Sequence, residues 1–123
     1  MASAQSEVVI YHNPGCATSR KVLAMIRDAG VEPRIVAYLK APPNRAELLD
    51  LLRRMGAKPR DVLRRRGTPY EALGLGDAGK SDSALIDAIL AHPVLLERPV
   101  VVGPRGVRLC RPPERVFEVL PAR

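Results

Sequence analysis

Aromatic residues are nearly missing from this chain. Its 123 residues include three tyrosines, one phenylalanine and no tryptophan. Single-stranded nucleic acid is held largely by bases stacking on aromatic rings. A nucleic-acid partner is therefore not expected, although the formal net charge is +7. Cysteine is scarcer still, with only Cys16 and Cys110. A secreted disulfide framework normally needs more. Neither cysteine has a second one nearby, and His12 and His92 are far apart in sequence. The spacing of a zinc site is missing, and no metal is expected. No apolar run reaches the length of about eighteen residues that a membrane span needs, so no membrane association is expected. Met1 to Ser6 is short and polar, without the basic and apolar regions of a secretory signal. These absences together point to a cytoplasmic protein.

What is present is ordinary globular material, 46% hydrophobic and 27% charged. The length suits one domain over residues 1–123 with a real core. Most of the excess positive charge is arginine. Its planar fork of donors matches oxyanions better than lysine does. A solvated basic surface would also account for this charge. A small anionic substrate is the more specific reading.

Read in order, Glu7 to Tyr11 is a β-branched and aromatic run expected to be a buried strand. Turn residues His12-Asn13-Pro14-Gly15 follow. Val22, Leu23, Ile26 and Ala29 then recur at helical spacing, predicting a helix from Ala17 to Ala29 closed by Gly30. Arg34 to Leu39 reads as a second strand, which makes a βαβ unit and a parallel pair. Asn44 with Glu47 resembles a capping box opening a helix that ends at Gly56. A shorter helical piece is expected over Pro59 to Arg65, irregular chain over Gly67 to Gly79, and a helix capped by Ser81 that stops before Pro93. Pro99 to Val102 and Val107 to Cys110 read as antiparallel strands joined at Gly103-Pro104-Arg105-Gly106. Pro112-Pro113-Glu114 opens a last helix. The expectation is an α/β fold of β-α-β, a helical insertion over about residues 44–91, then β-β-α around a central mixed four-stranded sheet.

Cys16 stands where a strand end meets a helix start. The free amides of a first helical turn stabilise an anion and lower a thiol pKa. Thr18 and Ser19 add hydroxyl donors, Arg20 adds charge, and His12 is placed to support a thiolate through the loop. On position alone, an inert buried cysteine after a turn fits equally well. Arg64 lies in an Arg64-Arg65-Arg66 run that suits a solvated face, while Arg98 and Arg111 each precede a proline and suit bridges to carboxylates.

The segment His12-Asn13-Pro14-Gly15-Cys16-Ala17-Thr18-Ser19-Arg20 resembles the active-site loop of the glutaredoxin-coupled arsenate reductases. Leu63-Arg64, Arg98 to Val102 and Leu109-Cys110-Arg111-Pro112 are similar to that family's three arginine-bearing segments. Tyr38-Leu39 and Pro69-Tyr70 match further stretches, and the resemblance runs from about Val8 to Leu120. It implies a thioredoxin-like fold and arsenate reduction in arsenic detoxification. Cys16 would be the nucleophile and His12 its support. Arg64, Arg98 and Arg111 would hold the oxyanion, with Ser19 and Arg20 as further substrate-binding candidates. Pro99 would be the cis-proline beside the loop. Arsenate would be the substrate, glutathione the co-substrate and glutaredoxin the partner, with no bound cofactor.

Ser19 occupies the place where a dithiol oxidoreductase carries its second cysteine, which argues against that class. It also separates the chain from the Spx-type regulators, which resemble this family but bind RNA polymerase through a Cys-x-x-Cys switch. An Spx-like regulator, or a reductase-like paralogue with a different substrate or protein partner, is the alternative function. The phosphatase-like arsenate reductases need an arginine at a fixed short distance past the cysteine, where this chain has Val22. Cys110 has apolar neighbours and reads as core packing rather than as a resolving thiol.

Overall fold

A computed structural model describes residues 7–121. The chain divides into two compact units. One takes the described residues up to Ala41 together with those from Arg98 onward, and the other is Pro42–Glu97.

The first unit is built on a four-stranded sheet in the order β2-β1-β3-β4, with β1 Val9–Tyr11, β2 Arg34–Val36, β3 Val100–Gly103 and β4 Gly106–Leu109. β1 pairs with β2 in parallel, Ile10 facing Ile35, and with β3 antiparallel, Ile10 facing Val101. A central strand covered on both faces needs an apolar run rather than an alternating one. That is why Val8, Val9 and Ile10 are consecutive and all buried. β2 is shorter than the expected Arg34 to Leu39. The chain turns at Ala37, whose carbonyl accepts from the Lys40 and Ala41 amides, so the ladder stops at Val36.

Helix α1 (Ala17–Asp28) follows β1. Its buried positions Ser19, Val22 and Ile26 have the i, i+3, i+7 spacing of one helix face. Val22 and Ile26 join Val8, Ile10, Val101, Cys110, Val116, Val119 and Leu120 in one apolar cluster. Full burial of each large side chain in it contributes roughly 1.5–3 kcal/mol before entropy is counted. Gly30, at φ +86°, takes the left-handed turn that ends the helix.

The closing segment Pro113–Glu118 is a 3-10 helix rather than an α-helix. The bonds that form, from Arg115 N–H to the Pro112 carbonyl and from Val119 N–H to the Val116 carbonyl, span three residues. This segment packs against α1 and β4. A Cβ at Gly103 would lie 2.1 Å from the Val119 carbonyl oxygen, a backbone atom with no room to move. Gly103→Ala is therefore expected to destabilise the protein by at least about 2 kcal/mol. Denaturant unfolding checks this, and a wild-type midpoint would contradict it.

The second unit contains α2 (Arg45–Met55) and α3 (Asp82–Ala91). Asn44 caps α2 in a full capping box with Glu47, and Gly56 closes it in the left-handed conformation. Ser81 caps α3 through the Ala84 amide. Arg45 reaches Asp87 at 2.5 Å and Ser83 at 2.9 Å, linking the two helices. The helical piece at Pro59 ends at Val62, earlier than expected, because Leu63 turns extended and forms a β-bridge with Leu96. Among the described residues, no helix is long and apolar enough to cross a membrane.

Candidate active site

Cys16 is the N-cap of α1, with extended backbone (φ −104°, ψ 122°) and its own amide bonded to the Asn13 carbonyl at 3.0 Å. The first helical turn carries no acidic residue. The positive end of the helix is thus left for the sulfur or for an external anion.

The loop before it is fixed by short polar contacts. Asn13 Oδ1 accepts from the Gly15 amide at 2.9 Å, an Asx turn. The Asn13 amide donates to Ser19 Oγ at 3.1 Å. Ser19 Oγ lies 2.6 Å from His12 Nδ1. Ser19 Oγ thus joins the Asn13 amide to the His12 ring. Burial, then the positive charges of Arg20 and Arg27, holds the His12 pKa below its ordinary value of 6.5. His12 is therefore the neutral, buried end of a Ser19 network. His12 reaches the loop through Ser19, whose amide bonds the Cys16 sulfur. Asn13, which the sequence reading left without a role, is the centre of the loop; an Asn ahead of Pro-Gly is the turn signal that marks it.

Two arginines of the same unit reach the sulfur. Arg111 Nη1 lies 3.9 Å from Cys16 Sγ and donates to the Arg98 carbonyl at 2.9 Å. The Arg98 side chain is near enough to Cys16 to stabilise its anion. Arg98 is only 8% exposed, and its Nε and Nη1 have no hydrogen-bond partner among the described residues. Both arginines precede cis peptide bonds, at Arg98–Pro99 and Arg111–Pro112. Burial pushes the Cys16 thiol up. Hydrogen bonds from the Ser19 amide, the Arg98 side chain, the Thr18 amide and the Arg111 side chain outweigh it and bring the pKa down to about 7. A half-exposed thiolate at neutral pH, ringed by donors, is a nucleophile prepared for an anionic electrophile. Its alkylation by iodoacetamide is expected to rise through about pH 7 and level off near pH 8.5, since only the thiolate reacts. A midpoint near the ordinary thiol value of 9.0 would contradict this arrangement.

A model of the ArsC family matches residues 11–119. The chain belongs to the ArsC family. It is 56% identical over 114 residues to the arsenate reductase of Rhizobium meliloti strain 1021, covering 93% of this chain and 81% of that protein. It is 53% identical over 116 residues to the arsenate reductase of Escherichia coli K12, covering 94% and 82%. The solved arsenate reductase of Vibrio cholerae superposes with a TM-score of 0.88 at 42% identity, covering 94% of this chain and 98% of that one. The α/β, thioredoxin-like architecture expected from the sequence is the one these ArsC structures share.

Within this ArsC-family chain the remaining candidates take distinct places. Arg20 Nη1 donates to the Pro14 carbonyl at 2.7 Å, so its guanidinium braces the loop. Ser19 gives the sulfur its amide, while its hydroxyl is engaged by His12 and Asn13. Both side chains are thus engaged within the loop. Arg20→Ala is accordingly expected to lower kcat/KM for oxyanion less than about tenfold, the scale of one exposed hydrogen bond. A loss as large as that of a direct ligand would return Arg20 to the binding set. Arg64 lies in the second unit, where Nη1 donates to Glu97 Oε1 at 2.9 Å and Nε to the Arg66 carbonyl at 3.1 Å. Both members of that ion pair are largely buried. Glu97 as the partner of Arg64 had no sequence signal, because the two are distant along the chain. Cys110 is fully buried, and burial pushes its thiol up to about 12.

Proposed function

We propose that this protein reduces arsenate to arsenite, with glutathione as co-substrate and glutaredoxin as partner. One observation carries the reading. Buried Arg98 presents Nε and Nη1 without partners beside a thiolate. Buried donors without partners are costly in a folded protein, and an oxyanion satisfies them. Membership in the ArsC family supports the same choice of anion.

In this scheme arsenate settles on Arg98, Arg111 and the amides of Thr18 and Ser19. Cys16 Sγ attacks arsenic, an As–O bond breaks, and the oxygen leaves as water after protonation. The arginines offset the repulsion between thiolate and anion. A glutathione thiolate then attacks the Cys16 sulfur. The S–As bond breaks, its electron pair stays on arsenic, and arsenite leaves. Two thiols have supplied the two electrons, and Cys16 is left as a mixed disulfide with glutathione. Glutaredoxin attacks the glutathione sulfur and frees Cys16. The scheme needs no bound cofactor. It does need a reducing thiol pool such as the cytoplasm holds, which supports a cytoplasmic location.

The test is NADPH oxidation by the purified protein with arsenate, glutathione, glutaredoxin and glutathione reductase. Turnover that requires both arsenate and glutaredoxin supports the proposal. No turnover, with Cys16 still readily glutathionylated, would overturn it in favour of a regulator or paralogue that binds a protein.

A further inference from the structure

The donors around Cys16 are not shaped for arsenic alone. Arg98 is more than nine-tenths buried, is near enough to Cys16 to stabilise its anion, and keeps Nε and Nη1 unpartnered. Arg111 Nη1 lies 3.9 Å from the same sulfur. Any reaction at Cys16 that sends negative charge onto a departing oxygen is stabilised by these fixed donors. Attack on an oxygen–oxygen bond is such a reaction.

We propose that Cys16 also reduces hydroperoxides, using glutathione or a similar small thiol as the electron source. In the first step Cys16 Sγ attacks one peroxide oxygen. An S–O bond forms and the O–O bond breaks. The departing oxygen, held by Arg98 and Arg111, takes a proton from solvent and leaves as water or alcohol. Cys16 is oxidised by two electrons to the sulfenic acid, the first rung of thiol oxidation. In the second step a glutathione thiolate attacks that sulfur, the S–O bond breaks, and the oxygen leaves as water after protonation. A mixed disulfide remains. In the third step a second glutathione thiolate attacks the glutathione sulfur and releases the Cys16 thiolate with glutathione disulfide. One hydroperoxide and two thiols become one alcohol, one water and one disulfide.

The resolving thiol must come from outside. Cys110, the other cysteine of the chain, is fully buried in the apolar cluster with Ile10, Val22 and Val116. It is a packing group without thiolate character. The mixed disulfide is the same species that ends the proposed arsenate cycle, and the inference rests on that reading for its thiol donor. The first step is independent of arsenic.

The experiment omits arsenate and uses hydrogen peroxide as the probe. Peroxide consumption by the full chain is followed with glutathione, glutathione reductase and NADPH, and arsenate turnover is measured in parallel. With each rate constant corrected for thiolate fraction, Cys16 is expected to react with peroxide at least about tenfold faster than glutathione. Arg98→Ala, compared at about pH 9 where both proteins hold thiolate, is expected to lose most of that excess. Cys16→Ser is expected to show only the glutathione background. A Cys16 thiolate no faster than glutathione would overturn the inference and leave the arsenate proposal standing. A fast peroxide reaction without arsenate turnover would support the inference and overturn the substrate. The wild-type comparison decides the matter even if Arg98→Ala does not fold.

Discussion

Cys16→Ser is expected to abolish arsenate turnover, with a loss of at least about 10³-fold even if background chemistry persists. The argument rests on acid strength. Cys16 titrates at about 7 because two amides and two guanidinium groups hold its anion. A serine hydroxyl lies far above that range, and the same donors do not bring it to an alkoxide at neutral pH. Nor can an oxygen form the disulfide that carries electrons away from the site. The fold is expected to persist, because Cys16 is the N-cap of α1 and serine is a preferred N-cap residue. The assay is coupled NADPH oxidation beside a thermal melt. Wild-type turnover in the variant would falsify the assignment of the nucleophile. A collapsed fold would contradict the stated independence of chemistry and stability.

Arg98→Ala should be the second most damaging change. Removal of one preorganised donor from a site that binds developing charge typically costs about 10²–10³ in rate. Arg98 acts twice here, on the anion and on the thiolate, whose pKa it helps to lower. The variant is therefore expected to lose kcat/KM on that scale and to shift the Cys16 alkylation midpoint upward. Stability should respond differently. A buried cation with unpartnered donors costs the fold desolvation energy. Truncation relieves that cost while opening a cavity. The two effects oppose each other, so the unfolding free energy should change by no more than about 2 kcal/mol. A large loss of stability with an unshifted alkylation midpoint would make Arg98 a structural residue.

Local signals placed most elements well. The Asn44 and Ser81 caps, and the glycines at positions 30 and 56, opened or closed helices where expected. These signals work because a helix end must satisfy its own orphan groups with residues close in sequence. Two element ends were misplaced, one by an unread local turn and one by a distant partner. β2 stops where the chain turns at Ala37, and the piece at Pro59 stops where Leu63 meets Leu96. The final helix is 3-10 rather than α, a difference that the residue pattern did not signal.

The sequence by itself determined that one cysteine stands at a helix start behind an Asn-Pro-Gly turn, and that arginines suited to an oxyanion occur in separate segments. Those are matters of residue type and short spacing. Tertiary structure alone decided the work each residue does. It turned His12 toward Ser19, spent the Arg20 guanidinium on the Pro14 carbonyl, and set Arg111 across the Arg98 carbonyl to the sulfur. It also buried Cys110 beyond reaction and left Arg98 with donors to spare. The reason is physical. Hydrogen-bond partners and desolvation depend on which atoms approach within a few ångströms, and sequence spacing does not fix this once the chain has folded back on itself.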